Sequence, residues 1–125
     1  MDAEYFKKSI APLLKSGGFK RYGTTWRRDQ VESIAVFNVQ KSQWGGGIFY
    51  VNLGTYFRSL GDDALPTENK CHVRVRLDIE DPGKVAANAL SWFAARAVLR
   101  DAALLAEEDS KRGLVFKEVR RAVVT

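Results

Sequence analysis

The sequence is poor in the residues that build disulfides and zinc sites. Among 125 residues it has a single cysteine, Cys71, and a single histidine, His72. One cysteine excludes an internal disulfide and is typical of a reducing compartment, so we expect a cytoplasmic protein. A zinc site needs several cysteine or histidine ligands, so we expect no metal, and no motif indicates a cofactor.

Long apolar runs are also missing, so the sequence predicts no membrane span. The amphipathic, acidic N-terminus lacks the apolar stretch and cleavage site of a secretory signal. The charge is only mildly unbalanced, with 20 basic and 15 acidic residues giving +5. That surplus suits an anionic partner. With 46% hydrophobic residues and no linker or internal repeat, residues 1–125 are predicted to form a single α+β domain.

The first segment predicts a helix that stops at a glycine pair. Its apolar residues recur at helical spacing, with the lysines on the solvent side. Pro12 removes a backbone donor, so we expect a kink or a break near Ala11. Gly17 and Gly18 can adopt the left-handed dihedral angles of a helix C-cap. The apolar positions are Phe6, Ile10, Leu13 and Leu14.

Four segments then alternate between apolar and polar residues, which predicts an antiparallel sheet with one covered face. They span residues 19–28, 34–41, 48–57 and 71–79. Cys71 is predicted to share the covered face with the following valines. The covered face is predicted to consist of Phe37, Val39, Phe49, Val51, Leu53, Val73, Val75 and Leu77.

The C-terminal third changes to helical periodicity. Asp81 and Pro82 form a helix start, and an alanine-rich helix, broken at most once, is expected to run to about Asp109. Valine and alanine spacing near the end favours a short last helix over a strand; the residues concerned are Val115, Val119, Ala122 and Val123. The predicted fold class is therefore α+β, with an N-terminal helix, a four-stranded antiparallel sheet and C-terminal helices packed on one sheet face.

A triple glycine, Gly45-Gly46-Gly47, separates the second and third predicted strands. A phosphate-binding loop needs glycines that lead into a helix, followed by Lys-Ser or Lys-Thr. Here Lys41 and Ser42 come before the glycines and a strand follows them. The segment is therefore predicted to be a flexible hairpin turn that carries Trp44.

The order of these motifs resembles the bacterial DUF4304 family of uncharacterised proteins. The resemblance rests on residues 18–27, 39–44, 49–54 and 71–77, and it covers roughly residues 5–80. It implies an α+β fold and a bacterial cytoplasmic origin. It implies no activity, cofactor or catalytic residue.

One group of polar side chains is the candidate site. Most of them lie opposite the apolar residues of their strands, and asparagine is depleted in strands unless it has a role. Arginine side chains suit carboxylates, phosphates or an acidic protein surface. The alternative is the ordinary solvent-facing side of a sheet. The candidate binding residues are Asn38, Gln40, Trp44, Tyr50, Asn52, His72, Arg74 and Arg76.

Three functions are compatible with these residues. The leading hypothesis is a non-enzymatic binding module for a protein with an acidic surface, and a homodimer is also expected. The second is a single-stranded nucleic-acid-binding domain in which Trp26 and Trp44 stack on bases. The third is an enzyme acting on a small anionic substrate, with His72 as acid or base. A Cys71–His72 dyad is not expected, because neighbouring strand residues point to opposite faces. No catalytic residue is predicted.

Overall fold

The computed structural model describes residues 1–122. They form a six-stranded antiparallel sheet in which every strand pairs with its neighbour in the sequence, in the order β1-β2-β3-β4-β5-β6. The strands are β1 (Lys20–Tyr22), β2 (Thr25–Asp29), β3 (Ser33–Lys41), β4 (Phe49–Phe57), β5 (Val73–Leu77) and β6 (Gly113–Val115). The helices are α1 (Ala3–Ser16), α2 (Pro82–Ala95), α3 (Leu99–Asp109) and α4 (Lys117–Arg121).

The α+β class and the antiparallel sheet are confirmed, but the predicted strand number of four is wrong. Residues 19–28 form two strands, β1 and β2, because the chain reverses at Gly23, where φ is +65°. The sixth strand contains Val115, which was predicted to be helical, whereas Val119 does lie in a short last helix. Val123 lies outside the described residues.

Helix α1 runs unbroken through Pro12, so a break near Ala11, one of the two predicted alternatives, does not occur. The helix ends as predicted at the glycine pair. The Phe19 N–H donates to the Leu14 carbonyl and the Gly18 N–H to the Lys15 carbonyl, each over 3.0 Å. Gly18 takes the left-handed conformation, with φ at +90°. These two bonds form a Schellman motif, which satisfies carbonyls that would otherwise lack partners.

The covered sheet face packs against α1 and α2, as predicted. Phe6 of α1 contacts Phe49 with ring centroids 5.3 Å apart, and Phe93 of α2 contacts Phe19 at 5.5 Å. A second cluster under α3 and α4 includes Phe57 and Val73. Each fully buried side chain of this size contributes about 1.5–3 kcal/mol of burial free energy. The predicted long C-terminal helix is interrupted once, between α2 and α3.

The opposite, outer face is half covered by the segment between β4 and β5. Cys71 packs there against Ile34, Val36 and Tyr56. It was predicted on the helix side with Val73, and that placement is wrong. The His72 N–H bonds to the carbonyl of Thr55, although Val73 is the register partner of Thr55. Strand β5 begins at Val73 and the chain bends at His72, so the alternation does not continue back from Val73 to Cys71.

No helix among residues 1–122 is both long and apolar enough to cross a membrane. Within the same range, no cluster of three or more His, Cys, Asp or Glu side chains is arranged to hold a metal ion.

Candidate functional site

The uncovered end of the outer face carries five of the predicted site residues, here called the polar patch: Asn38, Gln40, Tyr50, Asn52 and Arg76. Strand register makes them neighbours, because Asn38 pairs with Asn52, Gln40 with Tyr50, and Asn52 with Arg76. The antiparallel pairing therefore assembles one surface from three separate segments.

Asn52 is the centre of the polar patch and is only 4% exposed. Its Nδ2 donates to Gln40 Oε1 at 2.9 Å and to Asn38 Oδ1 at 3.3 Å. Its Oδ1 accepts from Arg76 Nε at 3.0 Å. Asn38 is held in turn by donation from its Nδ2 to Thr25 Oγ1 at 3.1 Å. Asparagine occurs in this strand because its amide has partners on both sides.

Arg76 is positioned entirely by neutral groups. Its guanidinium lies over the Tyr50 ring, 4.0 Å from the centroid, and its Nε is bonded to Asn52. Within the described part of the chain, no carboxylate lies within 4.0 Å of this side chain, and its two terminal nitrogens donate no hydrogen bond. The exposed fork is therefore ordered yet free to donate hydrogen bonds to two oxygens of an anion.

Arg74, two residues earlier, is not free. Its Nε and Nη2 donate to the two oxygens of Glu68 at 2.9 and 3.2 Å, which is a bidentate ion pair. Glu68 comes from the segment that covers the other half of the outer face. Arg74 therefore ties that segment to β5, and its charge is compensated within the molecule.

A shallow depression of about 340 Å³ adjoins Arg76. Arg112, from the connection between α3 and β6, lines it together with Asn52 and Leu114. Three guanidinium groups and one carboxylate, Glu68, border this depression, so its charge is positive. Sequence reasoning missed Arg112, because the segment around it was interpreted as a helix end and no local pattern places it beside β5.

Gly113 allows this arrangement. A Cβ added there would overlap the carbonyl oxygen of Arg74 and lie 2.9 Å from its carbonyl carbon. Only glycine lets β6 approach β5 this closely, and the approach places Arg112 at the depression.

His72 does not belong to the polar patch, contrary to the prediction. It is 5% exposed, and its Nδ1 accepts the Phe57 N–H at 2.9 Å. The ring packs against Tyr56 at 4.6 Å and edge-on to Phe116 at 5.4 Å. Burial lowers the pKa of His72, and the nearby Glu118 carboxylate opposes this shift. The His72 side chain packs where β5, β6 and the start of α4 meet.

The thiol of Cys71 is fully buried, and burial, with the Glu68 charge, raises its pKa well above the ordinary range. A thiol held protonated and away from solvent is unreactive.

Trp44 extends from the tip of the β3–β4 hairpin and is 86% exposed. The turn is closed by the Ser42 N–H bonding to the Ile48 carbonyl at 2.9 Å, and all three glycines have positive φ. Trp26, which was predicted to stack on bases with Trp44, is only 1% exposed. It lies edge-on to Phe37 in the core, so this part of the prediction is wrong.

Residues 10–103 match the family model of DUF4304, a domain of unknown function. The chain belongs to the DUF4304 family. The resemblance stated from the motifs is thereby confirmed, and the match extends beyond residue 80. Among curated proteins and among solved structures, none matches the chain. The DUF4304 match includes the whole polar patch, while Arg112, β6 and α4 lie beyond it.

Proposed function

We propose that this DUF4304 domain is a non-enzymatic binding module that recognises an acidic surface of a partner protein through the polar patch and Arg112. The observation that carries the proposal is that the Arg76 side chain is ordered but has no ion-pair partner among residues 1–122. Neutral groups hold this guanidinium in place, and within residues 1–122 its terminal nitrogens donate no hydrogen bond. We expect the protein to act in the bacterial cytoplasm.

The arrangement favours binding because the arginine is ordered before a partner arrives. A free arginine side chain has about 2 kcal/mol of rotamer entropy, part of which is lost when it binds. Stacking on Tyr50 and bonding to Asn52 already restrict Arg76, so less entropy is lost on association. Its planar fork matches the two oxygens of a carboxylate.

Trp44 supports the same proposal. The hairpin that carries it leaves the sheet directly beyond Gln40 and Tyr50, so its tip extends from the patch end of the sheet. A large exposed aromatic side chain is typical of residues that dominate protein interfaces. A homodimer through this surface stays a prediction, which sedimentation velocity would test.

The test is a titration of the ¹⁵N-labelled protein with a glutamate-rich peptide at low salt, followed by NMR. We expect saturable shifts at the polar patch and near Arg112. Arg76→Gln should weaken binding by about 10- to 150-fold, because a hydrogen bond to a charged group contributes about 1.5–3 kcal/mol. Arg100→Gln is the matched control, since Arg100 is an exposed arginine on α3 that lies outside the depression. It should bind like the wild type.

Two results would contradict the proposal. One is the absence of saturable shifts at the patch, and the other is equal weakening by both substitutions. Thermal unfolding of each variant should show an intact fold, because Arg76 is exposed and makes no ion pair with the described residues.

Single-stranded nucleic acid is the second candidate, favoured only by the exposed Trp44 beside a cationic surface. It predicts that a labelled oligonucleotide binds more tightly than the acidic peptide and that its affinity falls steeply with salt. Trp44→Ala should then weaken oligonucleotide binding more than Arg76→Gln does. The enzyme hypothesis has no comparable support, since His72 is enclosed by aromatic rings and offers a substrate no access.

A further inference from the structure

A second concave surface lies away from the polar patch, between α1 and the β1–β2 hairpin. It is a groove of about 540 Å³, within the roughly 300–1,000 Å³ range of small-molecule sites. Its accessible apolar wall is contributed by Ala11 and Pro12 of α1, and the nearly buried Phe19 and Trp26, 3% and 1% exposed, form its floor. Such a surface binds an apolar body.

Pro12 is part of this groove and has no other evident role. A proline in a helix interior costs about 3 kcal/mol relative to alanine, because it removes a backbone hydrogen bond. The ring of Pro12 is exposed, so core packing does not offset that cost. Pro12 does contribute a rigid apolar wall to the groove.

The groove is also cationic. Lys15, Lys20 and Arg21 line it, and no carboxylate does. None of these three cations has a carboxylate partner among residues 1–122. Arg21 is fixed by its Nε, which donates to the Gly23 carbonyl at 2.8 Å, and its guanidinium lies 4.7 Å from the centroid of the Trp26 ring. An occupant of this groove therefore needs an apolar body and a negative end.

We propose that the groove binds a small amphipathic carboxylate, namely the anion of a medium-chain fatty acid. The hydrocarbon chain packs along Ala11 and Pro12, above the nearly buried Phe19, and the carboxylate meets the cations at the rim. Charge complementarity argues for this occupant, because three uncompensated cations surround one apolar concavity. The proposal is independent of the polar patch, which lies on the outer face of β3, β4 and β5.

The probe is decanoate, used below its micelle concentration, with decylammonium as the matched ligand of the same chain length and opposite charge. Binding is followed by ¹H–¹⁵N NMR of the full chain. We expect decanoate to shift the Trp26 indole signal and the amides of residues 11–21 saturably. Decylammonium should bind at least about fivefold more weakly, as expected when attraction to nearby surface cations becomes repulsion.

Two variants localise the site. Lys15→Gln combined with Lys20→Gln should weaken decanoate binding about fivefold, whereas Lys84→Gln, an exposed lysine on α2, should not. Pro12→Glu removes the helix-breaking ring and adds a carboxylate to the wall. It should raise the melting temperature and abolish decanoate binding, so a loss of binding cannot be ascribed to unfolding.

The proposal is overturned by any of three results. The first is the absence of saturable shifts with decanoate, and the second is equal affinity for the two ligands. The third is a change in the NMR signals of the groove residues when protein concentration alone is raised, because this would show that a second copy of the chain occupies the groove. Arg76→Gln should leave decanoate binding unchanged, so failure here and failure of the proposed function are distinguishable.

Discussion

The glycine at the start of β6 provides a sharp test of how the C-terminal elements are held. In Gly113→Ala, the new Cβ would overlap the Arg74 carbonyl oxygen and lie 3.2 Å from the Cα of Val75. Both obstacles are backbone atoms of β5, so no side-chain rotation removes the overlap. Strand β6 must move outward, and the buried contacts of Val115 and Val119 weaken with it.

The expected size follows from overpacking, which typically costs about 1–3 kcal/mol. An unfolding entropy of about 2.1 cal/mol/K per residue gives roughly 0.26 kcal/mol/K for the 125 residues. We therefore expect Gly113→Ala to lower the melting temperature by about 4–11 °C. Hydrogen exchange should show the largest loss of amide protection in β6 and α4, with α1 and β3 least affected.

The matched control is Gly83→Ala in the first turn of α2. There the new Cβ meets only Asp81 Oδ2, at 3.0 Å; this side chain caps the helix, and a shift of a few tenths of an ångström relieves the contact without breaking the cap. Alanine favours a helix over glycine by about 1 kcal/mol, so this variant should be unchanged or slightly more stable. A melting temperature of Gly113→Ala within about 1 °C of the wild type, with unchanged exchange, would refute the reasoning.

Two further predictions concern buried contacts. Burial lowers the pKa of His72 in the folded protein, so as the pH falls the unfolded chain binds a proton before the folded protein does. Proton binding therefore favours unfolding, and the free energy of unfolding should decrease as the pH is lowered from about 7.5 to about 5.5. Urea titrations at both pH values measure the free energy of unfolding. The His72→Asn side chain does not titrate, so this variant should show a smaller change in that free energy between the two pH values. An unchanged difference would contradict the assignment of the pH dependence to His72. Gly54→Ala should cost about 1–3 kcal/mol, because the added Cβ would lie 2.6 Å from the Cβ of Cys71. Combining it with Cys71→Gly should cost less than the sum of the single variants, and strict additivity in chemical unfolding would contradict the contact.

The sheet was predictable where local patterns were uniform. Phe49, Val51 and Leu53 alternate with Tyr50 and Asn52, and such alternation assigns each side chain to a face whatever the rest of the chain does. Prediction failed near Cys71, because the residue at which β5 begins is decided by pairing with β4 and leaves no local pattern. It failed again at residues 113–115, where three residues are too few for any periodicity.

For the candidate site, the sequence placed the members of the polar patch on one face but could not separate Arg74 from Arg76. Arg74 and Arg76 are two residues apart in β5 and lie on the same face of the strand, so the local sequence pattern does not distinguish them. The difference arises because the covering segment brings Glu68 to Arg74 and no carboxylate to Arg76. Whether an arginine is compensated or free depends on residues remote in the sequence.

By itself, the sequence determined the fold class, the faces of the central strands and the hairpin that presents Trp44, since these follow from periodicity and backbone preferences. Only the tertiary structure decided that His72 and Trp26 are buried, that Arg112 joins Arg76, and that an apolar, cationic groove forms beside α1. Each of these depends on contacts between segments far apart in the chain. Burial and charge compensation are properties of such contacts, and local preferences do not encode them.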